Sequence, residues 1–63
     1  NTIQLNLNEN SIVKVYNSLG ILVHESKLDK GEQRIDTESL VSGIYILYIQ
    51  SKSGTENIKL LKN

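Results

Sequence analysis

Apolar and polar residues alternate with period two along most of this chain. "TIQLNL" places Ile3, Leu5 and Leu7 on one side and Thr2, Gln4 and Asn6 on the other, the pattern of a strand buried on one face. In "SIVKVYN", Ser11, Val13 and Val15 share one face while Ile12, Lys14 and Tyr16 share the other. Such β-branched residues suit a pleated, half-buried setting. "NSLG" then closes a hairpin into "ILVHESKL", and "DKG" turns the chain into "EQRID". The longest strand candidate is "GIYILYIQS", and "TENIKLLKN" pairs back across "KSG" with Ile58 and Leu60 on one face. Gly20, Gly31, Gly43 and Gly54 stand 11, 12 and 11 residues apart, each among turn-forming neighbours. Turn signals at that spacing, with apolar runs between them, mark an all-β sandwich or barrel.

The alternation breaks between Asp36 and Gly43. "DTESLVSG" offers Asp36 as an N-cap and a glycine at the exit, which predicts one helical or 3₁₀ turn with Leu40 pointing inward. Every connection is short enough for antiparallel neighbours, and no segment can serve as a crossover helix for a parallel sheet. The prediction is a small antiparallel sandwich. Its centre, Ile44 to Ile49, is apolar on both sides. Tyr45, Leu47 and Ile49 lie on one face and Ile44, Ile46 and Tyr48 on the other, so the strand is covered on two sides or has one covered side and one interaction surface.

Composition narrows what such a sandwich does. A 63-residue chain is a single domain, 1–63, and one this short buries only about 60% of the surface its unfolded form exposes. With Cys, Phe, Trp and Met absent, the core rests on Ile, Leu and Val with no disulfide to help. Seven basic and seven acidic residues give a formal net charge of zero. That balance argues against nucleic acid, which requires a clustered basic face, and against attachment to anionic lipid by charge alone. The apolar run is far shorter than the ~20 residues of a spanning helix, so no direct membrane insertion is expected. No signal peptide is visible in "NTIQLNLNEN".

Candidate chemistry is sparse. His24 is the single histidine; in "LVHES" it alternates with Leu22 and Ser26, with Glu25 on the opposite face. Zinc needs three or four ligands and a triad needs an oriented partner, so His24 reads as a partly exposed strand residue. Asp29, Glu32, Asp36 and Glu38 lack the spacing of a calcium loop and the cleft of a glycosidase, and read as solvated turns. No phosphate loop or nucleophile elbow is present. The expectation is a non-catalytic domain with no cofactor and no metal. Of the tyrosines, Tyr45 and Tyr48 face opposite ways. Tyr16 and Tyr48 could bind sugar as surface aromatics if both face out on neighbouring strands.

"VKVYNSLGILV" at 13–23, "IDTESLVSGIYILYI" at 35–49 and the closing "IKLLKN" resemble, in order and spacing across all 63 residues, the type A C-terminal sorting domain of the type IX secretion system of the Bacteroidota. The resemblance implies an immunoglobulin-like β-sandwich of six to seven strands that acts as an address label. A covalently linked N-terminal cargo would enter the periplasm by its own signal peptide. The secretion machinery would read the folded label and export the cargo to the cell surface or the extracellular space, and a surface sortase removes the label in many members. The family's motif positions fall on Gly20, Gly43, Tyr45, Lys59, Leu60 and Lys62. The family begins with a strand upstream of Asn1, so a domain trimmed of its first strand is expected, and it carries Lys where Tyr48 stands. Alignment with the family's Gly-x-Tyr assigns Tyr45, Leu47 and Ile49 to the core, and the trimming is expected to leave Ile44, Ile46 and Tyr48 more exposed than their hydrophobicity suggests.

Two other readings remain at this level: a carbohydrate-binding or adhesive sandwich built on Tyr16 and Tyr48, and a structural spacer. Lys52, Lys59 and Lys62 against Glu56 leave the last segment with a basic excess. That excess serves either partner choice or the solubility of an edge strand.

Overall fold

The computed structural model describes residues 2–63. Six strands follow in order: β1 (Thr2–Leu7), β2 (Ser11–Asn17), β3 (Leu22–Leu28), β4 (Gly31–Asp36), β5 (Gly43–Ser51) and β6 (Gly54–Lys62). All pairings are antiparallel, and they form a two-stranded sheet, β1-β4, against a four-stranded sheet in the order β3-β2-β5-β6. This is the small all-β sandwich that the alternation predicts.

The connectivity differs from a run of simple hairpins. Only β2–β3 and β5–β6 pair with their neighbours in sequence, whereas β1 pairs with β4 and β2 with β5. The other three connections carry the chain from one sheet to the other. Each strand with one apolar face must lay it against a second sheet, and these crossings bring the two apolar faces together. Short loops alone do not distinguish a hairpin from a crossing.

The core forms where the faces meet. Val13 and Val15 of β2 are fully buried at 0% exposure and Leu47 of β5 at 1%. Leu5 and Leu7 of β1, Ile35 of β4, and Tyr45 and Ile49 of β5 complete it, with Ile3, Leu28, Leu40 and Leu60 packed at its margin. The assignment of Tyr45, Leu47 and Ile49 to the core therefore holds. Two strands are narrower than four, so the cover is incomplete. Leu5 and Leu7 share a cleft with Ile49 and Ile58, and Ile58, on the core face of edge strand β6, stays 43% exposed.

Hydrogen bonds at the two ends hold the layers in place. At one end the β1–β2 turn is a hub: the Ser11 hydroxyl donates to the Glu9 carbonyl at 2.9 Å, and Ser53 of the β5–β6 turn donates to the Glu9 carboxylate. Asn10 Oδ1 accepts from the Lys30 amide at 2.8 Å, tying in the β3–β4 turn. At the other end the Leu40 amide donates to the Thr37 carbonyl at 3.0 Å, and Asp36 Oδ1 accepts from the Glu38 amide at 2.9 Å. Asp36 thus caps as expected and Leu40 points inward. The segment makes one isolated hydrogen-bonded turn and no helix, since six residues between two strands leave no length to propagate one.

Candidate functional site

The outer face of the four-stranded sheet is built by the residues that alternate with the core. Strand register aligns them in rows: Lys14 of β2 lies between Glu25 and Tyr48, and Tyr16 between Leu22 and Ile46, with Lys59 of β6 beyond Ile46. Ile44 lies beside Leu61 in the next row. A β-bulge at Val15/Tyr16 makes Val23 the extra residue of β3. It corrects the expectation that Leu22 shares the face of His24: Leu22 is opposite Tyr16 on the outer face and His24 is opposite Val15 on the core face. His24 is half-buried, its Nε2 3.3 Å from the Ser26 hydroxyl.

Solvent-facing sides of antiparallel sheets are ordinarily polar, and this one is not. Ile44 is 44% exposed and Ile46 38%, while Leu22, Val23 and Leu61 are exposed beside them. Tyr48 is half-buried. The expectation for Ile44, Ile46 and Tyr48 is met, because none of the three is buried. Together with Tyr16, Ser18 and Gly20 they line an open groove of about 630 Å³.

Tyr16 and Tyr48 do face out on neighbouring strands, with ring centroids 5.4 Å apart, but their planes meet at 86°. An edge-to-face pair stabilises itself and presents no shared flat platform on which a sugar ring could stack. Among the described residues, no three or more His, Asp or Glu side chains group to hold a metal ion. No helix among them is long and apolar enough to cross a membrane.

The motif positions divide by burial. Gly20 closes the β2–β3 turn at φ 80°, a backbone conformation that L side chains rarely adopt. Asn17 Oδ1 braces that turn by accepting from the Leu19 and Ile21 amides. Gly43 opens β5, and Tyr45 is buried, its hydroxyl donating to the Val41 carbonyl at 2.5 Å. Leu60 is half-buried against the core, and Lys62 is half-buried with Nζ donating to the Thr37 carbonyl at 2.6 Å. Lys59 is exposed, on the outer face opposite Ile46. Leu61 escaped the sequence reading, although counting back from the "KSG" turn reaches it: Ser51 opposite Gly54 puts Ile44 opposite Leu61.

Charge is unevenly distributed over a molecule that is neutral in sum. Lys14, Lys27 and Lys59 stand on the outer face of the large sheet against Glu25 alone. On the outer face of the small sheet, Glu32 and Asp36 flank Arg34, and Gln4 Nε2 donates to the Glu32 carboxylate at 3.2 Å.

The fold and this surface define a class: a small antiparallel β-sandwich with an apolar outer face and a tethered last strand. The sequence profile of the secretion system C-terminal sorting domain matches residues 1–63, and the chain belongs to that family. It is a C-terminal sorting signal for type IX secretion, which directs export across the outer membrane to the cell surface or the extracellular space. No curated protein and no solved structure matches it.

Proposed function

We propose that this domain has no catalytic step of its own and that the type IX machinery reads it as a folded body, chiefly through its β5–β6 half. The observation that carries this reading is the placement of β6. It is an edge strand, pairing among the described residues with β5 alone, and it exposes Ile58, Lys59 and Leu61. An edge strand offers unpaired backbone groups to a partner's sheet, with side chains on either face to set specificity. Lys62, bonded to Thr37, fixes where that strand ends. Lys59 is the motif side chain free to meet a partner, while Gly20, Gly43, Tyr45, Leu60 and Lys62 act through the fold. After export, the surface sortase removes the label and attaches the cargo to the cell surface.

The test fuses residues 1–63 behind a reporter that carries its own signal peptide, in a host with an intact type IX system and in one lacking it. Export that depends on the system, and that stops on deletion of Leu60 to Asn63, supports the reading. A reporter that stays in the periplasm of the intact host refutes it. Deleting the sortase should leave exported reporter still carrying the label, seen by its intact mass.

A further inference from the structure

We propose that the machinery docks on the outer face of the four-stranded sheet, and that the surface it presents is an apolar patch rimmed by carboxylates. The proposal rests on the reading above, that the folded label is what is recognised, and names which face and what partner chemistry.

Three observations converge on it. Ile44, Ile46, Tyr16 and Tyr48 form a continuous apolar strip on the side of the sheet turned away from the core, with Ile44 and Ile46 exposed. Contiguous exposed apolar surface of this kind marks interaction sites, and centrally placed tyrosines are typical anchors. Lysines flank the strip, Lys14 in β2 and Lys59 in β6, with Lys27 further out in β3 and Glu25 the one acid among them. In a chain of zero net charge, that concentration of cations selects a partner with acidic groups around an apolar centre.

Charge favours a transient partner over a second copy. The Cα trace spans 30 by 21 Å along its two longer axes, which puts the face toward the small end of specific interfaces, about 600–1,000 Å² per partner. A second copy would bring a face with three lysines and one glutamate against another with the same basic excess. A face of this extent suits a partner that must let go, as a transporter must release what it exports.

The experiment uses the same reporter fusion to residues 1–63. Ile46→Asp and Lys59→Glu alter it, and Arg34→Glu on the opposite sheet is the control. Lys59 is exposed on an edge strand, so Lys59→Glu leaves the fold intact even if Ile46→Asp does not, and thermal melts of the 63-residue chain verify this. The expected result is a fall in exported reporter of about tenfold or more for both outer-face variants, with Arg34→Glu exported as the parent is. Adding the free 63-residue chain in the periplasm should reduce export of the parent fusion, and the Lys59→Glu chain should not. Full export of folded Lys59→Glu and Ile46→Asp would overturn the proposal and leave the sorting function standing. Failure of the parent fusion would sink the sorting reading instead. Two further outcomes also overturn it: a dimer in sedimentation that Ile46→Asp breaks, or flotation with phosphatidylcholine–phosphatidylglycerol vesicles that Lys59→Glu abolishes.

Discussion

The Lys62 ammonium donates to the carbonyl oxygen of Thr37 at 2.6 Å, joining the last residue of β6 to the turn that leads into β5. Thr37 is itself buried at 4% exposure, so the bond forms where water competes poorly. The contact holds in place the C-terminal strand through which the domain is proposed to be read.

Lys62→Met keeps the apolar stem and removes the donor. Loss of a charge-assisted bond to a partly buried carbonyl costs about 1–2 kcal/mol, or a fall in Tm of about 5–10 °C for a domain this size. Calorimetry of the two proteins measures it, and an unchanged Tm would show that the contact contributes nothing.

Tyr45 separates ring from hydroxyl. Tyr45→Phe forfeits the bond to the Val41 carbonyl and should cost about 1 kcal/mol, while Tyr45→Ala empties a buried site and should cost about 3–5 kcal/mol. Urea titration followed by circular dichroism should show a lowered midpoint for the first and a largely unfolded chain for the second.

Adjacent residues on opposite faces should respond oppositely. Leu47→Ala, at a site 1% exposed, should cost about 2–5 kcal/mol, much of what a domain this small has, whereas Ile46→Thr, at a site 38% exposed, should stay within about 0.5 kcal/mol. Equal melting shifts would mean that the outer face is structural.

In the β2–β3 turn, Gly20→Ala forces a side chain into φ 80° and Asn17→Ala removes an acceptor used by two amides. Each should cost about 1 kcal/mol, and because both damage the same turn, the double variant should lose at least ~0.5 kcal/mol less than the sum. A double-mutant cycle of denaturant midpoints reads this directly.

The strands were legible because their signal is local. Alternation in "TIQLNL" and "GIYILYIQS" marks both the element and its buried side, and the glycine spacing marks the turns. The hairpins β2–β3 and β5–β6 were legible from their turns, but the pairings between distant strands were not. That β1 joins β4 depends on which apolar faces meet in space, and the three-residue loop Asn8–Asn10 suits a hairpin as well as a crossing. The bulge was hidden for a related reason: an extra residue at Val23 is visible only against the partner strand, so Leu22 was placed on the wrong side. At the candidate site, alternation grouped Ile44, Ile46 and Tyr48 on one face, but with both faces apolar it took the family resemblance to name that face the outer one. The positions of Lys14, Lys59 and Leu61 around them required the register across three strands.

The pairing of β1 with β4 and of β2 with β5 also governs when the domain can exist. Pairings between distant segments cannot close until the later segment is present, and they close slowly. Within the domain β2 is made well before β5, its central partner with Leu47 and Ile49. A ribosome that stalls before Gly43 leaves a chain with no β5 and hence no central strand for the larger sheet. Cargo carrying such a stump has no finished label to show, so the topology works as a seal, set only once the domain's later strands have been made.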